Sequence, residues 1–331
     1  MNAPPMQWMI HGVLPMEGFA ALYGPSGSGK SFLAIDIAVS VANGNAMWFN
    51  RRIVQCPVTY CALEGEAGIG KRIDALRRHH NCTVSDDLRF IMESFDLLKE
   101  GDVDGLANAI LADHGGDGLV ILDTLNRAAP GADENSSADM GAIISNAKRL
   151  QAIVGGLVLI VHHTGKDITR GLRGHSSLHA ALDSAIEVNK TDGRHEWSVA
   201  KSKDDVTGAA HGFKLETVLL GYHNDQIVTS CVALPDDFPS EARLTAKGPS
   251  GVNQKRVFAA IKEALSKSND FGKGGAPEGT PAIRFDDAVS RGEDALAENS
   301  AKHRKERAKE AIKGMIAQNI FGEKDNWLWI N

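Results

Sequence analysis

Residues Gly24, Pro25, Ser26, Gly27, Ser28, Gly29, Lys30 and Ser31 follow one another in the order G-x-x-x-x-G-K-S, and no other feature of the chain restricts its fold as strongly. An apolar run at 19–23 reads as a strand leading into this loop, and apolar residues at helical spacing over 30–43 read as a helix leaving it. The glycines let the backbone curl with its N–H groups turned inward, and the helix N-terminus adds a dipole favourable to anions. Lys30 is expected to hold the β- and γ-phosphates of ATP, and Ser31 to offer a hydroxyl to Mg2+. Such a loop needs a buried strand to carry it, which commits this part of the chain to an α/β sheet.

The remaining pattern agrees with that commitment. Short β-rich runs at 19–23, 58–63, 89–91, 119–123 and 158–162 alternate with helical periodicity at 30–43, 67–80, 103–113 and 137–153, as in a doubly wound parallel sheet. From 185 onward the runs are strand-like, at 185–189, 196–200, 212–218 and 227–233, and read as an antiparallel extension. Residues 235–252, with three prolines and two glycines, read as a linker between an ATPase domain at 1–234 and a second domain at 253–331. That domain reads as helices at 254–267, 285–291 and 301–319, a Gly/Pro-rich loop at 272–281 and a hairpin at 320–330, the composition of a small winged-helix-like α+β unit.

With 43% hydrophobic and 24% charged residues over 331 positions, the chain can bury two cores. Its longest apolar runs fall far short of the ~20 residues that cross a bilayer. The start of the chain shows no basic stretch followed by an apolar one, so a cytoplasmic setting is expected. Cys56, Cys61, Cys82 and Cys231 lack paired spacing and read as buried thiols. Net charge is −6, but residues 249–331 carry 14 basic against 12 acidic side chains, so the balance differs between the two parts.

Two carboxylates complement the loop. The run Leu119, Val120, Ile121, Leu122, Asp123 would deliver Asp123 to the sheet edge on the Mg2+ side of the phosphates. Glu64 ends the run at 58–63, and a strand beside the loop strand would aim it at the γ-phosphate as the group orienting water, with Glu66 opening the next helix.

Taken together, GPSGSGKS, TYCALEGE, LVILDT, LIVHHTGKD, RGLRGHSS and VAKSKDD resemble the RecA-like ATPases, most nearly the plasmid RepA-type (DnaB-like) hexameric replicative helicases and related phage and prophage ATPases. The resemblance spans about 18–234. It implies a homo-oligomeric, hexameric ring acting on single-stranded DNA, with ATP and Mg2+ at subunit interfaces. It also implies that one of His162 and His163 senses the γ-phosphate, with His163 the candidate, and that Arg173, Lys201 or Lys203 serves a neighbouring subunit as a trans finger. Lys203 stands where such helicases have Arg. Loops 126–136 and 165–174 would face single-stranded DNA, through Arg127 in the first and Lys166 and Arg170 in the second. His175 and His179, four apart, lack a third metal ligand in sequence.

In the second domain Lys302, Arg304, Lys305, Arg307, Lys309 and Lys313 crowd one helical segment, suited to duplex DNA, to a protein partner, or simply to solvent. The functional reading is an ATP-driven DNA motor, with the RepA-like resemblance implying that it unwinds DNA. A DNA-dependent ATPase switch, a small-molecule kinase and a non-enzymatic regulator are the alternatives.

Overall fold

The computed structural model describes residues 6–164, 172, 174–191, 193–203, 207–236, 249, 251–277, 279–297, 303–317 and 320–330. The chain divides into two compact units, Met1–Ala242 and Arg243–Asn331.

The first unit begins with a short hairpin, β1 (Trp8–Ile10) and β2 (Leu14–Pro15), followed by β3 (Gly18–Gly24) and α1 (Lys30–Asn43). A second small hairpin, β4 (Met47–Trp48) and β5 (Arg51–Arg52), precedes β6 (Val58–Ala62), α2 (Glu66–His80), β7 (Leu88–Ile91) and α3 (Glu100–His114). Then come β8 (Leu119–Asp123), α4 (Leu125–Ala128), α5 (Ser137–Val154), β9 (Leu157–His163) and α6 (Ser176–Ala181). The unit closes with β10 (Ser184–Thr191), β11 (Arg194–Ser202), β12 (Ala210–His223) and β13 (Gln226–Pro235). Nine of these strands form one sheet in the order β13-β12-β11-β10-β3-β9-β8-β6-β7. Neighbours from β10 through β7 are parallel, whereas β10 to β13 are antiparallel. This is the RecA-like doubly wound α/β core with the antiparallel extension expected from the sequence.

Contrary to the sequence expectation, the strand leading to Glu64, β6, does not lie beside β3; β9 and β8 stand between them. Residue pattern could not reveal this, because β6, β8 and β9 are all apolar runs that suit any interior place in a parallel sheet. Their order is set by the crossover connections. The sheet separates two cores. Leu22, Leu33, Ile37, Tyr60, Ile121 and Leu159 belong to the one on the α1 face, and Tyr23, Val103, Leu122, Ile143 and Ile160 to the one on the opposite face.

Helix α1 is apolar around most of its circumference, with Leu33, Ala34, Ile35, Ile37, Ala38, Val39, Val41 and Ala42 all buried. Within it Asp36 is also buried and accepts a hydrogen bond from Trp48 Nε1 at 2.7 Å. Burial pushes the Asp36 carboxyl up to about 7, against the opposing effect of the Trp48 bond. Cys56 and Cys61 are buried as expected, but Cys82 and Cys231 are only partly so; all four are free thiols. Among the described residues no helix is long and apolar enough to cross a membrane.

The second unit runs α7 (Gly251–Ser266), β14 (Ala282–Arg284), α8 (Phe285–Ala295), α9 (Arg304–Ala317), β15 (Phe321–Lys324) and β16 (Trp327–Ile330). Its strands form an antiparallel sheet, β14-β16-β15. Val257, Ile261, Val289, Ile312, Met315 and Leu328 make its core. Asp325 and Asn326, with φ of 52° and 62°, supply the two left-handed residues of a tight hairpin turn between β15 and β16. Strand β14 is not legible in the sequence, because three residues between a Gly/Pro-rich loop and a helix carry too little pattern.

A native carboxyl held above its unfolded value binds its proton more tightly when folded. Its contribution is fully present below the unfolded pKa and is lost as pH rises through the folded one. Asp36→Asn, which keeps an acceptor for Trp48, is therefore expected to blunt this loss. Urea denaturation of the full chain should show wild type losing on the order of 2 kcal/mol more than the variant between about pH 5 and 8. Identical pH dependence in both proteins would show that Asp36 is not the group responsible.

Candidate nucleotide-binding site

Side chains alternate across a strand, so membership of the two cores tells which face each residue occupies. Leu119 and Ile121 of β8 lie on the α1 face, as do Leu157, Leu159 and Val161 of β9 and Ala62 of β6. The same alternation puts Asp123, His163 and Tyr60 on that face, at the C-terminal edge where the loop 24–31 turns into α1. His162, fully buried, falls on the other face with Val158 and Ile160. Partly exposed His163 stands in register with Gly24, the first residue of the loop, and Thr164 N–H donates to the Gly24 carbonyl at 3.1 Å.

The loop is tightly backed by the sheet. A Cβ on Gly24 would lie 2.0 Å from the Val188 carbonyl oxygen of β10, so only glycine fits there. Pro25, Ser26 and Gly27 form the outer, more exposed side of the turn, whereas Ser28 and Lys30 are buried and Gly29 and Ser31 partly so. Gly29 precedes α1 in a left-handed conformation, and no acidic residue occupies the first helical turn. The helix N-terminus thus keeps its favourable field for an anion. Lys30 Nζ donates to the carbonyls of Gly24 at 2.9 Å and Pro25 at 2.8 Å. Burial lowers the Lys30 pKa to about 8, and the charges of Asp123 and Glu64 act to raise it.

Asp123 is 1% exposed. Its Oδ2 accepts a 2.5 Å hydrogen bond from the Tyr60 hydroxyl, and its buried Oδ1 makes no hydrogen bond. Burial raises its pKa; the Tyr60 bond, the Ser31 hydroxyl and the Arg72 guanidinium oppose that rise. A buried carboxylate oxygen without a donor, close to a serine hydroxyl, suits Mg2+, which takes one or two protein oxygens and completes its shell with water and phosphate.

Glu64 is exposed beyond the end of β6, and its Oε2 accepts from Thr124 Oγ1 at 3.1 Å. Leu63 N–H donates to the Asp123 carbonyl at 2.9 Å, extending the β6–β8 pairing to just below these two residues. The chain therefore reaches Glu64 through β8 rather than from a strand adjoining β3. Sequence reasoning does not single out Tyr60, Arg72 or Thr124. Thr124 is visible only as the residue after Asp123, and its partnership with Glu64 depends on the β6–β8 adjacency.

Other expected site residues are placed elsewhere or outside the described residues. Lys201 Nζ donates to the His179 and Ala180 carbonyls at 2.5 and 3.1 Å, closing the end of α6. Lys203 pairs with Asp183 at 2.6 Å. Through β10, Lys201 stands level with Ala21 of β3, and Lys203 lies lower still. That is roughly 10–15 Å down the sheet from the loop, at ~3.3 Å per residue. Neither lysine is placed to serve the phosphate loop of its own chain. Arg173, Lys166 and Arg170 lie outside the described residues, as does Lys302.

Arg127 is exposed on α4. In the loop after it, Glu134 is buried and accepts from Asn126 at 3.2 Å, so its charge is turned away from solvent. On α9, Lys305 and Arg307 are exposed, while Arg304 is partly covered and donates to the Ala297 carbonyl at 2.5 Å. His175 caps α6, accepting from Ser177 N–H at 3.3 Å. Among the described residues no group of three or more His, Cys, Asp or Glu side chains forms a metal cluster.

The profile of the AAA_25 family, described as an AAA domain, matches residues 2–168, a span that contains the loop, Glu64, Asp123 and His163. The chain belongs to this AAA-domain family. Among solved structures, the ATPase domain of a replicative helicase is similar with a TM-score of 0.46 at 13% identity, covering 60% of this chain and 82% of that one. The RadB recombinase is similar with a TM-score of 0.45 at 14% identity, covering 60% and 87% respectively. As an AAA-domain ATPase, the protein has Lys30 for phosphate charge, Ser31 and Asp123 for Mg2+, and a carboxylate at Glu64 able to orient water.

Thr124→Val keeps the side chain's shape while removing its hydroxyl. Steady-state kinetics are expected to show kcat for ATP hydrolysis reduced about fivefold, the worth of one hydrogen bond, with KM for ATP within about twofold of wild type. Unchanged kcat would remove Thr124 from the positioning of Glu64.

Proposed function

We propose that the protein is an ATP-hydrolysing DNA motor, a RepA-like replicative helicase of a plasmid, phage or prophage that works as a hexameric ring. The observation that carries this reading is the convergence of Lys30, Asp123 and Glu64 at one sheet edge, with Glu64 held by Thr124. That arrangement suits hydrolysis rather than nucleotide binding alone.

The N–H groups of the loop and the Lys30 ammonium would take the β- and γ-phosphates, withdrawing charge as the terminal P–O bond breaks. Ser31 and Asp123 would hold Mg2+, which supplies further positive charge to the phosphates. Glu64 would orient the attacking water in line with the leaving oxygen. Lys201 and Lys203, distant from their own loop, are candidates to reach the γ-phosphate of a neighbouring subunit, as is Arg173.

Single-stranded DNA would be tracked through backbone phosphates by Arg127 and by Lys166 and Arg170. The second unit has the helix, strand, helix, helix, strand, strand order of a winged helix. Its exposed Lys305 and Arg307 on α9 suit duplex DNA, and the same surface would serve an acidic protein partner.

Steady-state hydrolysis with and without single-stranded DNA, at two salt concentrations, tests the proposal. Stimulation by DNA that weakens with salt is expected for wild type, together with strand displacement. Glu64→Gln should lower hydrolysis by at least about 100-fold while ATP still binds, whereas Lys30→Ala should lose binding as well. DNA-stimulated hydrolysis without strand displacement would identify a switch, and hydrolysis indifferent to DNA would refute a DNA motor.

A further inference from the structure

The phosphate loop is braced by a histidine from the antiparallel extension. His195, on β11, places Nδ1 2.8 Å from the Ser28 carbonyl oxygen. A carbonyl oxygen only accepts, so Nδ1 carries the proton and donates. His195 is 8% exposed, and its ring lies beside that of Phe213, its register partner on β12, with centroids 5.2 Å apart. These two side chains press against the loop. A Cβ on Gly29, whose φ is 95°, would lie 3.2 Å from Phe213 Cε2 and Cζ and 3.4 Å from His195 Nδ1.

The bond controls a peptide plane. In a trans peptide the C=O and the following N–H point in opposite directions. Drawing the Ser28 carbonyl toward His195 therefore turns the Gly29 N–H away from β11, making it available to an anion rather than to the protein. We propose that His195 is a positioning residue for the phosphate loop, holding the Ser28–Gly29 peptide in the orientation that receives the phosphates of ATP. The inference rests on reading residues 24–31 as the ATP site. The family match ends at residue 168, so it gives His195 no role.

Two substitutions separate the hydrogen bond from the packing. His195→Phe keeps a ring against Phe213 without a donor, and His195→Asn places an amide N–H close to the Nδ1 position. Calorimetric titration of the full chain with MgATP is expected to show Kd raised about five- to tenfold in His195→Phe and within about twofold of wild type in His195→Asn. At saturating ATP, kcat should change less than about twofold in both, a split that general destabilisation would not produce.

If wild type and Lys30→Ala bind MgATP equally, the ATP-site reading fails, and this inference with it. If only Lys30→Ala loses binding while His195→Phe matches wild type, or if His195→Asn is as weak as His195→Phe, the positioning role alone is overturned. Should His195→Phe not fold, 15N NMR of histidine-labelled wild type gives an independent reading, with the His195 signals identified by their loss in His195→Asn. A protonated Nδ1 is expected; an unprotonated Nδ1 overturns the proposal.

Discussion

Everything at the site depends on the two-residue alternation of a parallel sheet buried on both faces. A strand gives one face its odd positions and the other its even ones, and a shift of one residue would exchange them. Because β3, β9, β8 and β6 are paired in one register, Tyr60, Asp123 and His163 share the face occupied by α1. The hydrophobic core enforces that register. Moving Asp123 to the other face would also turn Leu119 and Ile121 away from the α1 core, so catalytic geometry and packing are specified by the same contacts.

Much of this is legible in the residues. The loop 24–31 announces itself because its chemistry is local: glycines, a lysine and a serine within eight positions, between a strand and a helix. Asp123 is legible for a similar reason, as a carboxylate ending a wholly apolar run. The pairings among site residues are not. Thr124 reaches Glu64 across 60 positions of sequence and Tyr60 reaches Asp123 across 63, and both contacts follow from β6 lying beside β8. Strand order emerges from how the connections pack, so the expectation that β6 adjoins β3 has the right carboxylate and the wrong route. Lys201 and Lys203 show the converse, since a polar segment after a strand gives no sign of which end of the sheet it occupies.

The antiparallel strands do more than widen the sheet. β10 closes against Gly24, while β11 and β12 bring His195 and Phe213 against Ser28 and Gly29. At the opposite end of β11, Lys201 and Lys203 are tied to α6 and Asp183. One strand thus begins at the phosphate loop and ends among the basic residues that the proposed ring would present to a neighbour. A displacement of β11 along its length would be felt at both places.

Helix α1 carries a different consequence. A helix buried on nearly all sides has no solvent-facing surface with which to persist once its surroundings open, and its N-terminus is also the phosphate end of the site. The loop therefore acquires its shape only when the sheet, α1 and the antiparallel strands are assembled together. Partly opened forms of the first unit lack a competent cradle, so nucleotide binding opposes local opening around α1 as well as complete unfolding. Protection by the ligand should spread through hydrogen exchange in β3, α1 and β10 rather than remain confined to the residues that touch phosphate.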